Sequence, residues 1–157
     1  MPLFLLILAA CGGTNNGAND TVEPPDTSVP WAECTNFDLG SAVGDALETG
    51  ENIFYDSAFH DECKEATGHD VSFTWTAPSD GVFVASSEGT EYDTVMMVYA
   101  GACPGDGALL DCNDDTEGLG AQSQVSVTAS TGDAFVWVLD AFEDADRGTW
   151  VFNLNPE

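Results

Sequence analysis

Three aspartates in the middle of the chain are candidate metal ligands. Asp93 lies at the start of an apolar run, and Asp114 and Asp115 form an acidic turn after it. We interpret Cys103 and Cys112 as a local disulfide that clamps a hairpin and holds the acidic turn near Asp93. Carboxylate oxygens are the ligands that calcium takes in proteins. The three aspartates are therefore a candidate calcium site, and calcium is the only cofactor that we expect.

The acidic turn also has a purely structural interpretation. Asn113 and Asp114 can accept backbone N–H bonds and cap their own turn. The one-three-five spacing of acidic and amide residues that begins at Asp111 does not continue as an EF-hand, because Thr116 and Gln122 stand where that loop needs Gly and Glu. Calcium binding and turn capping both remain open from the sequence.

The run Tyr92–Tyr99 is the element that must position Asp93. It is predicted to be a strand, because β-branched, aromatic and Met residues fill it. Side chains alternate along a strand, and both rows here are largely apolar, so both faces should be covered. One row runs from Asp93 through Val95 and Met97. We expect this row to face the core, with the carboxylate at its mouth and in need of donors or a cation.

The rest of the chain from Trp31 onward is predicted to form short strands joined by turns, without a helical period. The strands are predicted at Asn52–Ser57, Val71–Thr76, Gly81–Ser87, Ala108–Asp111, Ser123–Ala129, Ala134–Asp140 and Gly148–Leu154. Alternation predicts that the core-facing residues include Val71, Phe73, Trp75, Val125 and Val127. About eight such strands predict an all-β fold, an antiparallel jelly-roll-like β-sandwich.

The first thirty residues or so differ from this pattern. Residues 1–10 are an apolar run of the length of a signal peptide, too short to span a bilayer. Leu8-Ala9-Ala10-Cys11 resembles the lipobox of bacterial lipoproteins, which implies a lipidated Cys11 and a membrane anchor. Gly12 after the cysteine implies, by resemblance to enterobacterial lipoproteins, sorting to the outer membrane. Residues 11–30 are a polar, Pro-containing linker, and the folded domain is expected at 31–157.

Several segments of this domain resemble the bacterial pre-peptidase C-terminal (PPC) domain. They are DVSFTWTAPSDG (Asp70–Gly81), YDTVMMVYAG (Tyr92–Gly101) and LLDCNDD (Leu109–Asp115), with LGSAVGDALETGEN (Leu39–Asn52) as the opening segment. The resemblance covers about Trp31–Asn155. It implies a jelly-roll β-sandwich that is not itself an enzyme, and that usually accompanies secreted proteases or is repeated in surface proteins.

Four cysteines remain once Cys11 is assigned to lipidation. Cys34, Cys63, Cys103 and Cys112 allow three pairings, and an exported compartment permits disulfides. The PPC resemblance favours Cys34–Cys63 together with the local pair Cys103–Cys112. A zinc site built on Cys63 is disfavoured, because the neighbouring histidines, His60 and His69, lack the spacing of structural zinc motifs.

The charge of the chain excludes some partners. It has 28 Asp and Glu residues against Lys64 and Arg147, a formal net charge of −26. Nucleic acid is not expected as a partner, because phosphate binding needs clustered cations. We interpret the acidity as a solvated coat suited to a saline habitat, where salt screens the mutual repulsion of the carboxylates.

No catalytic motif stands out. No G-x-S-x-G or comparable sequence positions a nucleophile, although so many carboxylates leave a glycosidase pair open. We therefore expect a non-catalytic lipoprotein at the outer membrane or cell surface, structural or binding polysaccharide or protein. The alternative is a small envelope hydrolase that acts on glycans. The strand aromatics expected either to fill the core or to form a sugar-stacking face are Tyr92, Tyr99, Trp137 and Trp150.

Overall fold

The computed structural model describes residues 35–59, 63–101 and 107–157. The predicted features that lie outside them are the signal peptide (1–10), Cys11, the linker to residue 30, Cys34, His60 and Cys103. Within the described residues, no helix has the length and apolar character needed to cross a membrane.

The described residues form nine strands in two sheets. The strands are β1 (Phe37–Asp38), β2 (Gly44–Glu51), β3 (Val71–Thr76), β4 (Gly81–Ser86), β5 (Thr94–Ala100), β6 (Leu109–Asn113), β7 (Gln124–Ala129), β8 (Ala134–Ala141) and β9 (Thr149–Pro156). One sheet has the order β1-β3-β8-β5-β6 and the other the order β2-β9-β4-β7. The predicted all-β sandwich is confirmed. The pairing is antiparallel except between β1 and β3, which run parallel.

Aromatic side chains fill the space between the two sheets. Phe73 of the five-stranded sheet stacks on Phe152 of the other, with ring centroids 4.3 Å apart. Trp75 meets Phe83 across the same interface at 4.8 Å. Rings of this size bury large apolar areas and prefer stacked or edge-on contacts, so they supply much of the packing energy. The five core-facing residues predicted from alternation in β3 and β7 all lie in this core.

Strand β5 is central in its sheet and covered on both faces, as predicted. The two rows are exchanged, however: Met96 and Val98 face the other sheet, and Met97 lies in a small cluster on the outer face. Asp93, which shares the parity of Met97, therefore belongs to the outward row, and the prediction that it faces the core was wrong. Since both rows are apolar, alternation alone could not tell which of them meets the second sheet.

The segment predicted as a strand at Asn52–Ser57 is one turn of 3₁₀ helix, Asn52–Phe54, followed by irregular chain. Asn52 anchors this turn: its Nδ2 donates to the Asp146 carbonyl at 2.8 Å, and its Oδ1 accepts from Gly148 N at 3.1 Å. The turn carries Ile53 and Phe54 on the outside, where they are 52% and 77% exposed. The apolar character of these two residues favoured a strand, but both side chains lie on the protein surface.

The structure corrects the disulfide pairing. Cys63 is bonded to Cys112, with 49 residues of separation and 6.2 Å between the Cα atoms. Because each cysteine forms a single disulfide, the predicted pairs Cys34–Cys63 and Cys103–Cys112 are both wrong. The bond ties the segment before β3 to the edge strand β6. It also removes Cys63 as a zinc ligand, since that role needs a free thiolate.

Candidate functional site

The structure brings the three predicted metal ligands together. Asp93, Asp114 and Asp115 each place one carboxylate oxygen within 4.8 Å of the other two. Asp93 directly precedes β5, and the other two directly follow β6, its antiparallel neighbour. Because the start of one strand lies beside the end of the next in such a pair, the topology itself produces the cluster. We call these three residues the acidic cluster.

A buried network of hydroxyl groups fixes the backbone under the acidic cluster. Thr94 Oγ1 lies 2.7 Å from Ser87 Oγ and 3.0 Å from Ser123 Oγ. The Ser123 hydroxyl also contacts the carbonyl oxygens of Thr94 and Asp114. These hydroxyls are fully buried: Thr94 begins β5, whereas Ser87 directly follows β4 and Ser123 directly precedes β7 of the other sheet. The positions of Asp93 and Asp114 are therefore set by polar contacts inside the sandwich.

The electrostatics of the acidic cluster favour a cation. Burial raises the pKa of Asp93 above its ordinary value, and the carboxylates of Asp115, Asp114 and Asp146 raise it further. Its Oδ1 is buried and has no hydrogen-bond partner in the part of the chain that the structure describes. Lys64 Nζ lies 3.5 Å from Asp114 Oδ2 and offsets part of the charge. Three converging hard oxygens are a donor set that fits calcium.

Other polar groups of the acidic turn have structural roles. Asp111 accepts from Cys112 N through Oδ1 and from Ser126 N through Oδ2, both at 2.9 Å, so its carboxylate links β6 to β7 of the other sheet. Asn113 Oδ1 accepts from Thr116 Oγ1 at 2.7 Å. Asn113 thus contacts its own turn through a hydroxyl group and accepts a backbone N–H bond from Gln124 at 3.4 Å, which differs from the predicted capping by N–H groups of the turn itself.

The sequence also predicts a second acidic loop, solvated in preference to liganded, made of Asp140, Glu143, Asp144 and Asp146. In the structure these residues divide into two groups. Asp140 lies in β8, paired with Val95 and fully buried, so for it the expectation was wrong. Asp144 is 80% exposed and accepts from Arg147 Nη2 at 3.1 Å. The same guanidinium nitrogen lies 2.9 Å from His69 Nε2. Glu143 and Asp144 are exposed as predicted, whereas Asp146 is half-buried and accepts from Glu143 N at 2.9 Å.

A second feature, which the sequence did not predict, is an open pocket beside the 3₁₀ turn. We call it the Phe54 pocket; it has a volume of about 470 Å³. Its lining residues are Thr35, Asn36, Phe54, Tyr55, Asp56, Ala58, Phe59, Asp70 and Ser72. The volume is in the range of small-ligand sites, and the lining combines aromatic rings with a few polar groups, as such sites do.

Asp70 organises one wall of the Phe54 pocket. Only 2% of this residue is exposed, and its Oδ2 accepts from Ala58 N at 2.6 Å and from Phe59 N at 2.8 Å. Burial raises the pKa of Asp70 to about 6; the two N–H bonds act against the shift, and Asp56 adds to it. The carboxylate therefore holds the loop in place at the cost of its own desolvation.

The remaining walls are also fixed. The Tyr55 ring turns inward and lies 6.4 Å from the Phe37 ring and 6.5 Å from the Trp150 ring. Asn36 Oδ1 accepts from Ser72 N at 2.8 Å and from Ser72 Oγ at 3.0 Å. Phe54 alone of the lining aromatics points mainly into solvent. The sequence feature that could have indicated this pocket is the apolar pair Ile53-Phe54 within a polar stretch. The alternation pattern did not assign this pair to the core.

The four aromatic residues considered for a sugar-stacking face are buried in the structure. Trp137 and Trp150 are fully buried, and Tyr92 and Tyr99 are buried at 6% and 2% exposure. They fill the core or the outer-face cluster. A stacking face built from these four residues is therefore contradicted, and the exposed aromatic surface lies at Phe54 instead.

No protein-family model matches the sequence, and no curated protein matches it significantly. The solved structures that are similar to this one include a collagenase domain and a lysozyme inhibitor. The pre-peptidase C-terminal domain of collagenase from Bacillus anthracis aligns over 77% of this chain and 96% of its own length, with a TM-score of 0.49 and 8% identity. PliG from Aeromonas hydrophila, a periplasmic inhibitor of g-type lysozyme, aligns over 75% and 99%, with a TM-score of 0.44 and 14% identity. The first is a domain of the family that the sequence motifs resemble.

Proposed function

We propose that this protein is an exported, non-catalytic module that binds polysaccharide or protein at the cell envelope through the Phe54 pocket. One observation carries the proposal: a ring that is 77% exposed stands beside a 470 Å³ pocket with polar groups at its base. Large exposed apolar groups at the rim of a concavity are typical of recognition sites.

The rigidity of the pocket supports a binding role. Asn52 fixes the turn that carries Phe54, and Asp70 fixes the opposite wall through Ala58 and Phe59. Binding residues are commonly presented by loops that a rigid scaffold holds in place. A preformed site loses less conformational entropy when its ligand binds, so such anchoring favours affinity.

The proposed location follows from the cysteines and the N-terminal segment. The Cys63–Cys112 disulfide indicates an oxidising, exported compartment. We extend this to a lipid anchor at Cys11, with residues 11–30 as the tether that lifts the domain from the outer membrane or cell surface. Nucleic acid is not among the proposed partners, because a net charge of −26 repels phosphates.

Calcium is proposed as a structural ligand of the acidic cluster. An ion bound by Asp93, Asp114 and Asp115 would neutralise carboxylates that otherwise repel one another, and would fasten the start of β5 to the end of β6. Lys64 at 3.5 Å from Asp114 is the competing counter-ion. Calcium would therefore add stability to the end of the sandwich that carries the cluster.

The binding proposal is tested with purified protein against a panel of envelope polysaccharides and an envelope protein extract, with and without calcium. Phe54→Ala should weaken binding at least about fivefold, because it removes the exposed ring. Leu110→Ala is the matched control, since Leu110 is 48% exposed but lies on β6, outside the pocket. Equal binding by wild type, Phe54→Ala and Leu110→Ala would contradict a role for the pocket.

The glycan hydrolase remains the second candidate, and one observation favours it. Asp70, with its pKa raised to about 6, shares the pocket with Asp56, and a raised pKa suits a general acid. Against this, Asp70 is 2% exposed and commits Oδ2 to two backbone N–H groups. Release of reducing ends from envelope glycans, abolished by both Asp70→Asn and Asp56→Asn, would establish the enzyme and overturn the non-catalytic proposal.

A further inference from the structure

Both charged side chains that line the Phe54 pocket are carboxylates. Asp56 and Asp70 line it, and the field of Glu48 reaches Tyr55, where it adds to the effect of burial in raising the pKa of the phenol. Neither a lysine nor an arginine is among the lining residues. An anionic ligand such as a phosphate or a uronic acid would therefore enter the pocket against repulsion.

The two basic residues of the chain are engaged elsewhere. Lys64 lies against Asp114 of the acidic cluster, and Arg147 donates to Asp144 at 3.1 Å. With a net charge of −26 and both cations committed to other carboxylates, the acids of the pocket have no lysine or arginine of this chain to neutralise them. A ligand that brings its own positive charge would be attracted to the exposed carboxylate of Asp56.

The shape of the surface indicates what carries this charge. Phe54 offers a π face, which attracts ammonium and guanidinium groups most strongly where water is excluded. Ile53 is the neighbour of Phe54 on the same turn; it is 52% exposed and is not among the residues that line the pocket. A small free cation would leave Ile53 in water, whereas a polypeptide can fill the pocket with a basic side chain and cover the turn with its neighbours.

We propose that the ligand of the Phe54 pocket is a basic polypeptide segment, which inserts a lysine or arginine between Phe54 and the Asp56–Asp70 wall and lays apolar residues on Ile53. This rests on the proposed function and names its partner class. It gives the acidity of this end of the protein a specific role in addition to solvation.

The experiment must separate this site from general attraction to an acidic protein. The probes are a synthetic peptide that alternates Arg with Leu and Ser, a peptide of the same length with Glu in place of Arg, and a neutral β-glucan oligosaccharide. Binding to the full chain is measured by titration calorimetry in 0.5 M salt, where a Debye length of about 4 Å screens diffuse attraction. The variants are Phe54→Ala and Asp56→Asn.

Each variant has a matched control. Leu110→Ala removes an exposed apolar side chain outside the pocket. Glu157→Gln removes an exposed charge at residue 157, whose backbone N–H donates a hydrogen bond to the Val82 carbonyl in β4. We expect the Arg peptide alone to bind, with Kd raised at least about fivefold by Phe54→Ala and about threefold by Asp56→Asn, and unchanged in the controls.

The other outcomes overturn the inference in distinguishable ways. Binding of the oligosaccharide or the Glu peptide that Phe54→Ala abolishes, with no binding of the Arg peptide, would keep the pocket as a binding site but reject a basic partner. Arg-peptide binding that Asp56→Asn and Glu157→Gln weaken equally would show charge attraction without a site. Indifference of every probe to Phe54→Ala would reject both the inference and the proposed function.

Discussion

Individual aspartates of this protein have very different roles, and the groups around each carboxylate decide which. Asp111 is used by two backbone N–H groups and ties β6 to β7. Asp70 is used in the same way but is buried, so its ionised form is costly. Asp93 has instead two neighbouring carboxylates and a buried oxygen. Charge count alone could not distinguish a carboxylate that links two strands, a buried anchor of a loop and a candidate metal ligand.

Asp70 should make stability depend on pH in a defined window. Its pKa is about 6 in the folded protein against 3.8 as the ordinary value, so the folded state binds the proton more tightly. Its contribution is therefore fully present below about pH 4 and is lost as pH rises to about 6, by at most about 3 kcal/mol. Relative to Asp70→Asn, wild type should lose unfolding free energy between pH 4 and pH 7 in urea denaturation.

The control for this experiment is Glu157→Gln, which removes an exposed carboxylate. Its pH profile should run parallel to that of wild type, because general repulsion among the acids is nearly the same in both. A wild-type profile that parallels Asp70→Asn as well would show that the Asp70 carboxyl titrates alike in the folded and unfolded protein.

If Asp93 is a calcium ligand, calcium binding should raise the thermal stability of the protein. We expect millimolar calcium to raise Tm by roughly 5 °C, and Asp93→Asn to abolish the rise. The effect should weaken as pH falls, because protons compete for a carboxylate whose pKa is raised. Calorimetry with calcium or chelator, at pH 8 and pH 5, measures both. Glu117→Gln, an exposed acid in the same β6–β7 connection, should keep the wild-type rise.

At the scale of elements, alternation predicted the strands well where one face is polar. Strands β3, β4 and β7 lie within a residue of the predicted bounds. It failed where both faces are apolar, as in β5, and where an apolar pair stands on a turn, as at Ile53-Phe54. The acidic cluster forms because its members flank neighbouring strands; its residues were predicted from the sequence, but the Cys103–Cys112 disulfide that was expected to hold them together was wrong. The Phe54 pocket was not, because loops far apart in sequence build it.

Close approach between the segment before β3 and the end of β8 makes Gly68 critical. Its N–H donates to the Ala141 carbonyl at 3.0 Å, and a Cβ at Gly68 would lie 2.2 Å from that oxygen and 2.4 Å from Ala141 Cβ. Gly68→Ala should therefore lower the unfolding free energy by about 3 kcal/mol, since backbone must move to relieve the overlap. Urea denaturation measures the change.

Gly118→Ala provides the comparison. A Cβ there meets no atom within 4 Å, and only the positive φ of +95° opposes the substitution. The cost should be about 1–2 kcal/mol. Equal losses for the two variants would mean that backbone conformation, and not contact with Ala141, explains the glycine at position 68.

At the scale of the whole molecule, the disulfide is a long-range constraint. Locality favoured Cys103–Cys112, but the bond joins Cys63 to Cys112 across 49 residues. Closing a loop of this length should add about 4 kcal/mol in the chain-entropy model. Peptide mapping of the unreduced protein should find the Cys63 and Cys112 peptides linked, and Cys63→Ala/Cys112→Ala should unfold at lower denaturant. A linked Cys103–Cys112 peptide would contradict the structure.

Thr35 and Asn36 both line the Phe54 pocket and lie five and six residues after the proposed tether, which ends at residue 30. If a ligand is held there while the N-terminus is fixed, a pulling force between the two is transmitted to the pocket before the chain reaches β1. The large sheets would then carry little load. In such an arrangement, the contacts near the N-terminal end of the domain determine how much force the attachment withstands. The sandwich keeps the geometry of the binding site fixed.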